Sequence, residues 1–211
     1  MLSKRHQFVF VHVPKTGGGS ITAELQTLYG EGEKLRTHLT AAEYRNFLGP
    51  SLFQKYHTWA VVRNPYERFI SEYHWRKHWM LRKERQQAAA VSIEDLALNM
   101  ERYNFCDRKH ILSQYDMTHV DGKCVCEIYR YEQGLGNILK HATRQIGQGR
   151  ITHDGTMSIH KHDVRIDRRP YYEQLSEAAI DALSQRYRID FETFGYEFHK
   201  KTDRHFIRGT K

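Results

Sequence analysis

The 211-residue chain has no apolar run that approaches the roughly 20 residues needed to cross a bilayer. Its longest, "FVFVHV" and "TWAVV", fall far short, and no small-residue cleavage site follows the first. The sequence therefore reads as soluble and without an export signal. Cysteine is scarce too. Cys106, Cys124 and Cys126 are odd in number, and the last two stand one residue apart, a spacing ill suited to bridging each other. Free thiols in a reducing compartment are the simpler account, and without C-x-x-C pairs there is no zinc framework. Internal repeats and low-complexity linkers are also missing, so one domain is expected, over residues 1–200, with 201–211 as a basic tail.

What is present is globular in composition: 39% hydrophobic, 12% aromatic and 27% charged residues, which argues against wholesale disorder. Lys and Arg number 33 against 25 Asp and Glu, a formal charge of +8. That balance favours polyanionic partners or substrates without naming one.

Along the chain, strand-like and helix-like segments alternate. Phe8 to Val13 reads as a short buried strand ended by Pro14, and "SITAELQTLYG" as a helix capped by Ser20 and stopped by Gly30. A second strand spans Thr58 to Val62. Asn64 caps the helix after it, with Pro65 in the first turn and Phe69, Ile70 and Tyr73 as the buried stripe. "TAAEYRNFL" and "SIEDLALNM" are short helices, the latter with Ser92 and Asp95 at capping-box spacing. "KCVCEIYRYE" is the third strand, "GLGNILKHATRQI" a helix, residues 147–168 irregular, and "YYEQLSEAAIDALSQRYRIDFETFGYEF" a long helix with an aromatic close. "YHWRKHWMLRKER" reads as an exposed amphipathic helix with its tryptophans turned inward. The pattern predicts an α/β fold with a central parallel sheet flanked by helices.

The first strand runs into "HVPKTGGGS". Gly17, Gly18 and Gly19 permit backbone angles closed to other residues, so successive N–H groups can face one concavity ahead of the helix. A triphosphate loop, G-x-x-x-x-G-K-[ST], sets lysine just before the hydroxyl residue. Here Lys15 comes first and a glycine precedes Ser20. The second unit carries "RNPYERFISEY", with Arg63 at the carboxyl end of its strand, where open α/β sheets bind ligands, and Ser71 early in the following helix. A guanidinium and a hydroxyl there can hold a second phosphate. Arg68 and Glu67 read as structural or solvated.

Together these stretches resemble the adenylyl-sulfate-dependent sulfotransferases, in particular the branch acting on carbohydrates, whose loop reads H-V-P-K-T-G-G-x-S and whose second element reads R-N-P-x-x-R-x-x-S-x-Y. "YRYEQGL" and "YRIDFETFGYEF" extend the likeness over most of the chain. The resemblance implies a P-loop-like fold and a donor, 3′-phosphoadenosine 5′-phosphosulfate (PAPS). It places Lys15, Thr16, Gly17, Gly18, Gly19 and Ser20 at the 5′-phosphosulfate, and Arg63 with Ser71 at the 3′-phosphate. It implies no metal, and a saccharide hydroxyl as acceptor. Lys15 would stabilise the leaving group, and "RTHLTAAEY" supplies His38 as base, with His57 in reserve. His12 reads as packing. Ser158 matches a family serine, but Thr156 stands where the family has asparagine.

The residues leave two other readings open: a nucleotide kinase with a divergent loop, and a non-catalytic basic module that binds polyanions. Location follows the same inference: a bacterial-type cytoplasm, or a secretory lumen if an anchor has been removed.

Overall fold

Two strands of alternating side chains organise the first part of the protein. In β2 (Phe8–Val11), Phe8 and Phe10 turn to one side and Val9 and Val11 to the other. β3 (His57–Val62) divides in the same way, with Trp59 and Val61 opposed to Ala60. Such runs are buried on both faces, as parallel strands covered by helices require. The computed structural model describes residues 1–30, 32, 38–82, 91–103, 108–157 and 167–199. Its contacts divide the chain into two units: Met1–Arg63 with Arg108–Asp163, and Asn64–Asp107 with Val164–Lys211.

The first unit holds a four-stranded sheet. β2 and β3 pair in parallel, Phe8 opposite His57 and Val11 opposite Ala60. β6 (Glu127–Arg130) pairs in parallel with β3, from Trp59–Glu127 to Val62–Arg130. At the far edge β1 (Leu2–Ser3) runs antiparallel to β2, a two-residue strand too short to be read from alternation. One face packs on α1 (Gly18–Tyr29) and the helix Leu135–Gln145 through Ile21, Leu25, Ile138, Leu139 and Ala142. The other packs on α2 (Ala41–Leu48) and α3 (Pro50–Phe53) through Ala41, Tyr44 and Phe53. Each of the fully buried large side chains contributes about 1.5–3 kcal/mol, so these two apolar layers dominate the unit's stability.

The expected third strand divides in two. Lys123–Cys124 (β5) folds back on His119–Val120 (β4) as an antiparallel pair, and only Glu127–Arg130 enters the main sheet. Asp121 and Gly122, both at positive φ (51° and 76°), make the tight turn. The expected first strand ends at Val11, two residues short, although Val13 is still buried. Cys124 and Cys126 are free thiols; Cys106 lies outside the described residues.

In the second unit α4 (Pro65–Arg82) begins as anticipated. Asn64 Oδ1 accepts from the N–H groups of Tyr66 (3.0 Å) and Glu67 (3.4 Å), and Pro65 opens the helix. Its inner face is not purely apolar. Arg68, Glu72 and Arg76, spaced four apart on one side, are all under 5% exposed beside Phe69 and Ile70, and Tyr73 is only half-buried. Arg76 Nε donates to Glu72 Oε1 at 2.7 Å, and the Arg68 guanidinium lies over the Tyr187 ring. The reading of "YHWRKHWMLRKER" as solvated thus fails at Arg76. Trp75 is half-buried, and the side chain of Trp79 lies outside the description.

Ser92 caps the helix Ile93–Leu98, its Oγ accepting from Asp95 N at 3.0 Å. The expected long C-terminal helix is three short ones, Tyr171–Gln174, Glu177–Arg186 and Arg188–Phe194. Ser176 caps the second, and Tyr187 leaves helical angles at φ −105°, ψ 22° while burying its ring. Ser158 and the tail 201–211 lie outside the described residues, and no described helix is long and apolar enough to cross a membrane.

Candidate active site

The glycine loop leaves the carboxyl end of β2 and feeds α1, but the helix begins earlier than Ser20. Gly17 is the N-cap, in the left-handed region at φ 78°, and Gly18, Gly19 and Ser20 form the first turn. The run of glycines allows this, because the left-handed cap falls on a residue without a Cβ. No side chain caps this end and no acidic residue stands in its first turn, a helix terminus suited to an anion.

Two of the glycines are required by contact as well as by angle. A Cβ on Gly18 would sit 2.0 Å from His12 Cδ2, and one on Gly17 would sit 2.7 Å from Leu135 Cδ1. The loop is therefore pressed between the His12 ring and the start of the helix Leu135–Gln145. Thr16 is fully buried, its hydroxyl donating to the Val13 carbonyl at 2.9 Å. It braces the loop from behind. Lys15 takes φ 68°, an angle that disfavours any residue but glycine by roughly 1 kcal/mol.

Arg63 follows the carboxyl end of β3, beside this loop. Its Nη1 donates to the Lys15 carbonyl at 3.3 Å and its guanidinium lies 4.3 Å from the centroid of the Tyr131 ring. Gln114, with no exposed surface, fixes the main chain there: Arg63 N–H donates to Gln114 Oε1 at 2.8 Å, and Gln114 Nε2 donates to the Arg63 carbonyl at 2.9 Å. Two sequence motifs 48 residues apart are thereby joined at one sheet edge. Ser71 is half-buried on α4 in the second unit.

His38 stands two residues before the Thr40 cap of α2, at φ 60°. Thr40 and Glu43 form a reciprocal capping box, and Lys109 Nζ donates to Glu43 at 2.6 Å. Burial alone would raise the Glu43 carboxyl, but the hydrogen bonds from Lys109 and Thr40 outweigh it and hold the group below its ordinary value. His38 Nδ1 donates to the His12 carbonyl at 3.0 Å, since a carbonyl oxygen only accepts. The neutral ring then carries its proton on Nδ1 and presents Nε2 as an acceptor. His12 and His110 both meet the His38 ring edge-on, at 4.4 and 4.8 Å between centroids. Loss of surrounding water, reinforced by His38, pushes the His12 imidazole well below the ordinary histidine range, so His12 is neutral at pH 7.

His57, the reserve base, sits at the other end of β3, paired with Phe8. About 20 Å of extended strand separates it from Arg63. It has no part in the constellation at the loop. His110, Gln114 and Tyr131 were missed by sequence reasoning. Ser113 and Asp116 form a legible helix start, Ser113 Oγ accepting from Asp116 N at 2.9 Å, yet nothing local reveals that Gln114 reaches Arg63. Among the described residues no group of three His, Cys, Asp or Glu side chains is arranged to hold a metal ion.

A family model described as "Sulfotransferase family" matches residues 1–197, and so covers the loop, the Arg63 segment and both units. No curated protein and no solved structure matches the chain.

Proposed function

The chain belongs to the sulfotransferase family, and from that premise we propose that it transfers a sulfuryl group from PAPS to a hydroxyl of a carbohydrate, with His38 as base and Lys15 as electrostatic stabiliser. Family membership makes it an enzyme of sulfuryl transfer with a PAPS-type donor.

The observation that carries it is the convergence of His38, through the His12 carbonyl, on the loop that begins with Lys15. His12 is shared: its ring packs under Gly18 while its oxygen holds His38. A base and an anion cradle are thus built on one short segment, which suits a reaction that depends on alignment. In the transfer, a bond forms between the acceptor oxygen and sulfur as the bond from sulfur to the bridging phosphate oxygen breaks. His38 Nε2 takes the acceptor proton. Lys15 and the amides at the start of α1 stabilise negative charge gathering on the leaving phosphate. Arg63 takes the 3′-phosphate, and Ser71 joins it on the strength of the sequence motif alone.

Lys15, Thr16, Gly17, Gly18, Gly19 and Ser20 fit such a group because the cradle has no room for a Cβ at Gly17 or Gly18 and no side chain caps its helix end. The test is calorimetric titration with the desulfated donor, adenosine 3′,5′-bisphosphate, beside Mg-ATP. Binding of the bisphosphate without metal, and a weaker response to Mg-ATP, is the expected result. Preference for Mg-ATP would remove the donor assignment, and transfer only to non-sugar hydroxyls would remove the acceptor.

A further inference from the structure

At the amino edge of the parallel strands, the end remote from the glycine loop, the first unit contains a hollow of ≈ 390 Å³ lined by Arg5, His6, Tyr29, Lys55, His57 and Arg150, among others. Its lining includes no carboxylate. Arg5, Lys55 and Arg150 are exposed, and among the described residues none of the three side chains forms an ion pair or hydrogen bond. Two other cations of the unit are paired, Arg45 with Asp121 at 2.9 Å and Lys109 with Glu43 at 2.6 Å. Three positive charges around one concavity give it a positive potential that draws anions to it.

The rim is held by a strained turn. Gln7 takes φ 52°, and its carbonyl accepts from His57 N–H at 2.9 Å, which brings the Arg5–Gln7 segment beside the start of β3. A non-glycine residue at such an angle costs on the order of 1 kcal/mol and persists where the surroundings impose it. The floor is aromatic and apolar. The His6 ring lies 4.8 Å from that of Tyr29, whose hydroxyl donates to the Ile151 carbonyl at 2.6 Å, and the buried Ile146 is part of the same lining. His57 Nε2 is buried without a hydrogen-bond partner, 3.7 Å from a Glu127 carboxylate oxygen.

We propose that this hollow is a second anion-binding site, taking a saccharide ester of sulfate: the three cations hold the ester oxyanion and the His6–Tyr29–Ile146 floor takes the ring that bears it. Lying a strand's length from Arg63, it binds its ligand together with the nucleotide and not in competition with it. The site needs only the residues around the hollow, so it does not depend on the His38 and Lys15 assignments.

The experiment is calorimetry at low salt on the whole chain, with galactose 6-sulfate, galactose and inorganic sulfate as separate titrants. Each is run with and without saturating adenosine 3′,5′-bisphosphate. Galactose 6-sulfate should bind equally well with the bisphosphate present, inorganic sulfate should bind more weakly, and galactose should give no heat. The triple variant Arg5→Gln/Lys55→Gln/Arg150→Gln should lower the affinity for the ester about ten- to hundredfold, with the urea midpoint and the bisphosphate affinity near those of the parent. Unchanged ester affinity in that variant, or displacement of the ester by the bisphosphate, overturns the site. Equal affinity for inorganic sulfate overturns the role of the floor. If the bisphosphate itself fails to bind, the donor reading falls while the ester titration still decides the hollow.

Discussion

His38 donates its Nδ1 proton to the main-chain oxygen of His12 at 3.0 Å, and the His12 ring in turn lies where a Cβ on Gly18 would have to be. The orientation of the proposed base and the shape of the anion loop are therefore set by one residue, at the carboxyl end of β2.

Replacing His38 with alanine should separate chemistry from binding. Turnover is expected to fall about 10²–10⁴-fold, the ordinary contribution of a positioned proton acceptor, with affinity for adenosine 3′,5′-bisphosphate close to the parent's. Steady-state sulfation kinetics and calorimetry read the two quantities. Parental turnover would return the base role to another group.

Gly18→Ala tests the cradle. The new methyl would meet His12 Cδ2 at 2.0 Å, so the ring must move, at about 1–3 kcal/mol for overpacking. Urea unfolding should register that loss, and bisphosphate affinity should fall with it. An alanine variant of parental stability would show that the loop relaxes freely.

At Arg63 the side chain and its support can be tested apart. Arg63→Ala should weaken bisphosphate binding about ten- to hundredfold, as expected for a charge-assisted hydrogen-bonding partner. Gln114→Met keeps the guanidinium but removes two hydrogen bonds from the Arg63 main chain. It should cost about 1–3 kcal/mol of stability and part of the affinity. Undiminished binding in both variants would exclude Arg63 from the nucleotide site.

The depressed pKa of His12 carries a stability signature. The unfolded imidazole, near 6.5, takes up a proton before the folded one does. Stability is therefore full above that value and falls as the pH drops below it, by at most about 1.4 kcal/mol per pH unit for this proton. His57, lowered by burial against the opposing pull of Glu127, bends the curve in the same direction. Comparison of the parent with His12→Gln isolates the first contribution. Urea midpoints between pH 8 and 5 should fall less steeply in the variant, and parallel curves would contradict the assignment.

Within α4 the Arg76–Glu72 pair, 2% and 5% exposed at the side chains, should be costly to break and cheap to replace. Arg76→Ala is expected to lose about 3–5 kcal/mol, and the double change Glu72→Leu/Arg76→Met to recover most of it. A thermal melt of the three proteins decides between this and a solvated pair.

Much of the local chemistry was legible, although Gly17 and not Ser20 caps α1. Asn64 and Pro65 open α4, Ser92 caps its helix, and Gly30 stops α1 with its N–H on Gln26, because each is satisfied within a few residues of itself. The two motifs carrying Lys15 and Arg63, and the α/β class, were legible for the same reason: strand, loop and helix are written consecutively. Long-range pairing was not. That "KCVCEIYRYE" would divide between a hairpin and the main sheet, that Tyr187 would break the last helix to bury its ring, and that Arg68, Glu72 and Arg76 would face inward all depend on partners distant in sequence. So does the meeting of His12, His38 and His110. The sequence by itself determined the candidates for holding an anion and taking a proton; only the packing of two apolar layers on the sheet brought His38 to the loop and left His57 at the opposite edge, because strand direction separates the ends of β3 and no local pattern encodes which end a loop histidine will reach.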